Sequence, residues 1–339
     1  MAKKTFVTGA SGHVGANLVR ELIGRGVAVK ALVRGDCAGI EGLDLERVEG
    51  DLRDPTSLER ALAGCDRVYH VAAYVSLRRG DQQQVFDVNV TGTKNVLAAA
   101  ERAGVERTVF CSSFGAVGHN PTGGASDETF TVNPFETHLD YELSKAMAEL
   151  EVHRAVHRGL DVRIVNPCGI VGPHDYKPSS VGQTILDFAN RKMPAYVQGQ
   201  FEFVAVKDVV AGHLQAMERG RPGERYILSG GQFTLDQILD HLSTLCGVKK
   251  PKLRIPVGLM LPMAYVSNFF LSTFAPERPP RFTPGTIKIL NGGKHADISK
   301  ARRELGFEPT PVLDAFTEAY EWFKSRGQVP AHATDRSAA

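Results

Sequence analysis

"KTFVTGASGHVGANLVRELIGRG", Lys4 to Gly26, is the stretch that decides the fold. An apolar β-type run ends in three glycines, Gly9, Gly12 and Gly15, and "VGANLVRELIGRG" then reads as a helix closed by Gly24 and Gly26. A strand that passes through glycines into a helix is where a dinucleotide pyrophosphate settles on helix N–H groups. The spacing is G-x-x-G-x-x-G rather than the commoner G-x-G-x-x-G. Three glycines can also make an ordinary turn, so the meaning of these depends on what surrounds them.

Working outward, short apolar runs alternate with amphipathic ones. "VAVKALVR" and "LERVEGDL" read as second and third strands, "PTSLERALAGC" as a helix opened by Pro55, and "DRVYHVAA" as a fourth strand. A long helix from about Gln82 to Ala103, the strand "RTVFCSS", a helix carrying Tyr141 and the strand "LDVRIVNP" complete the series. This is the pattern of a parallel sheet wrapped by helices. The predicted fold is therefore α/β, a Rossmann-type doubly wound parallel sheet with a smaller, mixed C-terminal lobe. The dinucleotide-binding part is expected over 1–170 with 201–222 returning to it. A substrate-binding lobe is expected over 171–200 and 223–327, with a flexible tail over 328–339.

Composition narrows the function. The 339 residues are 42% hydrophobic and 23% charged, with 40 basic against 38 acidic residues and a net charge of +2. That describes a globular chain without the basic footprint of a nucleic-acid binder. The five cysteines, Cys37, Cys65, Cys111, Cys168 and Cys246, lie far apart with no C-x-x-C, so neither a disulfide framework nor a zinc site is expected. The histidines, His70, His119 and His174 among them, lack metal-ligand spacing, and no metal is expected. The N-terminus runs directly into a strand-like segment without room for a signal peptide, and the expectation is a cytoplasmic protein. From Ile255 to Pro276 there is no charge for 22 residues. Pro256, Pro262, Ser267, Asn268 and Ser272 interrupt the run, which reads as buried helix rather than a membrane span, with peripheral membrane contact as the alternative.

Cofactor choice is usually set at the end of the second strand, where an acid binds the ribose 2′-hydroxyl of NAD and a base accommodates the 2′-phosphate of NADP. Here "ALVRGD" puts Arg34 in that place, with Asp36 close by, so NADP is favoured over NAD. Asp51 in "EGDLRD" is placed to accept from the adenine amino group, or else simply begins the turn before Pro55.

Chemistry is suggested by "LDYELSKAMAE", where Tyr141 and Lys145 are four residues apart and so point from one helix face. With the glycine triplet, "HVAA", "NVTGTKNVL", "FCSS" and "NPCGIVGP" in order, the chain resembles the extended short-chain dehydrogenase/reductases. Within that superfamily it is most similar to dihydroflavonol-4-reductase-like ketoreductases and hopanoid-associated sugar-epimerase-like proteins. The resemblance covers most of the chain and extends to "VAVKDVVAGHLQAME" and "ELGFEPTPVLDAFTEAYEWF".

The resemblance implies a Tyr141 that exchanges a proton with the substrate oxygen and a Lys145 that lowers its pKa and bonds the nicotinamide ribose. Ser113, rather than Ser112, would hold the substrate oxygen. Asn89 would either organise the site or serve as a structural amide. Cofactor contact is implied for Gly9, Ser11, Gly12, His13, Val14, Gly15, Arg34, Asp51, Leu52, Val71, Ala72, Ala73, Tyr141 and Lys145. Pro167, Gly169 and Val171 would form a loop over the nicotinamide. A monomer or a homodimer is implied by the family alone.

Departures from the family pattern select the reaction. Sugar dehydratases carry an Asp-Glu pair after the serine position, where this chain has Phe114 and Gly115. Sugar epimerases clamp a diphosphate with an Arg before "VAVKD", where this chain has Phe201 followed by Glu202. Phe114, Phe130, Phe135, Tyr176 and Phe201 are available to line an apolar pocket, or equally to fill the core. The expected activity is NAD(P)H-dependent reduction of a ketone in an aromatic or lipid-like small molecule, with secondary metabolism as one setting. The alternatives are a sugar epimerase with recycled cofactor and a non-catalytic NAD(P)-sensing protein.

Overall fold

The computed structural model describes residues 4–35, 37–76, 80–135, 139–256 and 294–330. Strand β1 (Lys4–Thr8) leads into helix α1 (His13–Gly24), followed by β2 (Ala28–Val33), β3 (Glu46–Glu49), α2 (Pro55–Leu62) and β4 (Arg67–His70). Asp54 caps α2 by accepting from Thr56 N–H, and Pro55 occupies the first turn, where its missing N–H costs nothing. The long helix expected from Gln82 is α3 (Gln82–Phe86), a wider π-type turn (Asp87–Thr91) and α4 (Gly92–Arg102) in succession. Then come β5 (Arg107–Cys111), α5 (Asp140–His157), β6 (Val162–Pro167), β7 (Gly169–Val171) and α6 (Ser180–Ala189).

The remaining elements are β8 (Ala195–Val197), β9 (Gln200–Ala205), α7 (Val206–Arg219), β10 (Arg225–Leu228), β11 (Gly231–Thr234), α8 (Leu235–Cys246), β12 (Leu253–Ile255) and α9 (Val312–Ser325). Seven strands form one parallel sheet in the order β10-β6-β5-β4-β1-β2-β3. Strand order reverses between β1 and β4, the topological switch point at which open α/β sheets bind ligands. Central strands buried on both faces read as continuous apolar runs, as Phe6, Val7, Val109 and Phe110 do.

Two sequence expectations change. Arg225–Leu228, expected in the second lobe, is the edge strand of the main sheet, pairing in parallel with Ile164–Pro167. Gly169–Val171, expected as a loop, pairs with β9 in a mixed three-stranded sheet. A Cβ on Gly169 would lie 3.0 Å from the Glu202 carbonyl, so the bare glycine is what lets β9 approach. A separate apolar cluster of Ile185, Phe188, Phe203, Leu239, Phe316 and Phe323 joins α6, β9, α8 and α9. The uncharged run 255–276 lies outside the described residues but for Ile255 and Pro256, and so do Asp36 and the tail from 331. No helix among the described residues is long and apolar enough to cross a membrane.

Candidate active site

The glycines make a cradle at the switch point. Gly9 has φ +72°, and a Cβ there would meet the Ala72 backbone N at 2.6 Å, so the turn after β1 touches the chain leaving β4. A Cβ on Gly15 would lie 2.0 Å from the Gly9 carbonyl, which forces the first turn of α1 against the strand end. Gly12 N–H donates to Gly9 O at 3.0 Å, and the residue is exposed at the helix start. The resulting bare surface at the N-terminus of a 12-residue helix suits a pyrophosphate. Among the neighbours, Val14 is buried and Ser11 half-buried. His13 donates from Nε2 to the Pro173 carbonyl at 3.1 Å, so its side chain ties α1 to the segment after β7. Leu52 is buried and its carbonyl accepts from Asn95. Val71 N–H continues the ladder to Thr8 O, and Ala73 is exposed at the crevice.

At the far end of this crevice Asp51 accepts from two guanidiniums. Arg34 reaches it at 2.9 Å, and Arg53 forms a fork at 3.0 and 2.7 Å. The Arg53 and Arg34 bonds hold the Asp51 carboxyl well below the usual range against the cost of partial burial. Arg53 is a second basic group that Arg34 alone did not suggest, and its signal in the sequence is the "DLRD" turn.

The catalytic candidates converge at the C-terminal end of β5. Ser113 caps the short turn Phe114–Ala116, accepting from Gly115 N–H at 3.1 Å, and its hydroxyl lies beside the Tyr141 phenol. Burial pushes the Tyr141 phenol up, Cys111 and Glu142 add to this, and Ser113 opposes it. Lys145 is not among the groups that set the phenol in this structure. The Lys145 ammonium donates to the Cys111 carbonyl at 2.7 Å and lies 4.8 Å over the Phe110 ring, itself pulled down by burial. Tyr141 therefore stays a protonated donor.

A buried polar scaffold holds this group. Asn89, in the π-type turn, accepts from Tyr74 N–H at 2.7 Å and donates to Tyr74 O and to the Ser144 hydroxyl. Thr93 donates to Asn89 O, so it accepts from His70 Nε2, and His70 Nδ1 accepts from the Thr8 hydroxyl at 2.7 Å. Below α5, Glu149 accepts from Asn166 at 2.7 Å, from Arg225 at 3.2 Å and from the Ser112 hydroxyl. Asn166 also donates to Ser113 O at 3.0 Å, so this carboxylate steadies the serine backbone. Glu149, Asn166 and Arg225 carry no recognisable spacing, since they come from three different elements. Ser112 is a scaffold member, not a second candidate for the substrate oxygen.

The apolar candidates do not form one cluster. Phe114 is buried beneath Lys294, whose ammonium sits 4.2 Å from its ring centroid. Phe130 is half-buried against the main core, and Phe135 is 92% exposed. Phe201 packs on Phe203 with ring centroids 6.0 Å apart. Tyr176 lies by α1, where it accepts from Arg20 at 2.9 Å and meets Trp322 and Arg326. Pro167 ends β6, and Val171 is buried in the second-lobe core. Glu202, the anion that follows the expected arginine position, is buried and engaged by Ser229 and His295, each at 2.5 Å.

Residues 5–229 match the model of the NAD dependent epimerase/dehydratase family. The sterol demethylase protein B of Methylococcus capsulatus is 52% identical over 96% of this chain and 99% of its own length. A Synechocystis sp. protein provisionally assigned as a dihydroflavonol 4-reductase is 40% identical over 97% of each chain. The crystal structure of gox2253 superposes with a TM-score of 0.85 at 39% identity, covering 97% of this chain and 100% of that one. Together with the glycine cradle and the switch-point sheet, these likenesses assign the chain: it belongs to the NAD dependent epimerase/dehydratase family.

Proposed function

We propose that this NAD(P)-dependent oxidoreductase reduces a ketone in an apolar, ring-based small molecule, with NADPH as the preferred cofactor. The observation that carries the reading is the Ser113 hydroxyl lying beside the buried Tyr141 phenol, at the C-terminal edge of the sheet that also carries the glycine cradle. A nicotinamide bound there supplies the hydride. The chain's own task is to hold the carbonyl oxygen on the Ser113 hydroxyl and give it a proton from Tyr141. Lys145, with Glu149 behind it, places a positive charge at the end of β5 and would bond the ribose. Gly9, Gly12 and Gly15 would seat the pyrophosphate, and Arg34 with Arg53 would take the 2′-phosphate, a task suited to two guanidinium forks.

An apolar substrate is supported by Phe201 at the place of a diphosphate-clamping arginine, and by the engagement of Glu202 elsewhere. The relatives named for a sterol and for a dihydroflavonol point the same way. The second-lobe cluster joining α6, β9, α8 and α9 would line the space for such a molecule. The test is parallel NADPH and NADH oxidation with 5α-androstan-3-one, 1-tetralone and flavanone, repeated with Tyr141→Phe. NADPH consumption that falls at least a thousandfold in the variant, with NADPH binding retained, supports the reading. Near-normal turnover without the phenol sinks it.

A further inference from the structure

Phe114 and Gly115 follow Ser113 at the place where sugar dehydratases carry carboxyls, and the structure shows what the glycine makes room for. A Cβ on Gly115 would lie 2.8 Å from Glu142 Cγ, 3.2 Å from Glu142 Oε1 and 3.3 Å from Ser113 Oγ. The Glu142 carboxyl therefore covers Gly115 on the side of the Ser113 hydroxyl, one residue past Tyr141. It is half-buried and makes no hydrogen bond among the described residues. Lys294 is the cation that faces it; the Lys294 ammonium is fixed by the carbonyls of Phe114, at 2.7 Å, and of Val117. Burial pushes Glu142 up and Lys294 opposes this, so the group is neither a solvated surface carboxylate nor a locked ion pair.

We propose that Glu142 is a proton-transfer base for the carbon next to the carbonyl that Ser113 and Tyr141 hold, giving the enzyme an enolisation activity beside hydride transfer. The inference rests on the ketoreductase reading of the site. The Glu142 carboxylate takes a proton from the α-carbon, and the C–H electron pair becomes the C=C bond of an enolate. The carbonyl π pair moves onto oxygen, where the Ser113 and Tyr141 hydroxyls donate to it. Return of the proton from Glu142 restores the ketone, while protonation by water on the opposite face inverts that carbon. No electrons leave the substrate, so no oxidant is required. Gly115 serves this role by having no side chain.

The probe is deuterium wash-in from D2O, read by mass spectrometry, for 5α-androstan-3-one, 1-tetralone and flavanone with enzyme and NADP. The wild-type protein is expected to label the ketone that it also reduces at least tenfold faster than buffer at the same pD. Glu142→Gln should bring labelling to the buffer rate, and so should Gly115→Ala, whose new methyl displaces the carboxyl. NADPH fluorescence reports that each variant is folded. Labelling at the buffer rate by wild-type protein that reduces the same ketone overturns the inference alone. Labelling that persists in both variants overturns the assignment to Glu142. Failure to reduce or label any of the three ketones overturns the inference together with the reading beneath it.

Discussion

Asn89 donates from Nδ2 to the hydroxyl of Ser144 at 3.0 Å, joining a π-type turn to the helix that carries Tyr141 across 55 positions of sequence. Ser144 passes the link on by donating to Tyr141 O at 2.7 Å. Asn89 thus sets the position of the tyrosine's backbone without touching its phenol. Asn89→Ala removes three buried hydrogen bonds and is expected to cost about 2–3 kcal/mol of stability. The rate of reduction should fall about tenfold, with Ser144→Ala showing the same direction at a smaller scale. Denaturant melts and steady-state rates check both, and an Asn89→Ala enzyme with unchanged turnover would reduce the residue to a structural amide.

Arg34 and Arg53 share Asp51, and the pair leaves a net positive charge at the end of the switch-point crevice. Replacing either by Ala is expected to weaken NADPH about tenfold and leave NADH within about twofold, as befits a charge-assisted contact worth roughly 1.5–3 kcal/mol. The double variant should erase the preference. An unchanged ratio of the two cofactors' kcat/KM in that variant would move the 2′-phosphate elsewhere.

Gly15→Ala should be far more damaging than its size suggests, because the added methyl would stand 2.0 Å from Gly9 O, and backbone cannot step aside cheaply. Several kcal/mol, about 3 or more, and loss of NADPH binding are expected. Gly24→Ala is the control, with nothing within 4 Å of the new methyl. It should be neutral or stabilise by about 0.5 kcal/mol. Thermal melts with and without NADPH distinguish the two.

Acid should unfold the protein before its carboxylates titrate. Burial pulls His70 down to about 3, helped by the Lys145 charge, and pulls His213 down to about 4. Both are depressed below the unfolded value near 6.5, so below that pH the unfolded chain takes up the protons. Their contribution is complete above pH 6.5 and is lost as pH falls towards 4 and 3. Between pH 6 and 5 each should contribute a slope of about 1 kcal/mol per pH unit. A melting temperature flat across pH 5–6.5 would show that these rings are not held neutral.

Residues close together in sequence were the legible part of this protein. Gly9, Gly12 and Gly15 lie within seven residues, and Tyr141 and Lys145 share a helix face, so local geometry alone makes their patterns readable. Alternating apolar runs likewise determined the doubly wound sheet, because a strand buried on both faces must be apolar throughout. Tertiary structure decided the rest. It placed Arg225–Leu228 in the main sheet and brought Glu149, Asn166 and Arg225 together from a helix and two strands. It engaged Glu202 with His295, and it filled the space over Gly115 with Glu142. Such contacts have no period or spacing, since they depend on where separate elements are carried by packing. Sequence therefore specified the elements and their local chemistry, while burial and long-range pairing decided which charges serve the site and which merely hold it together.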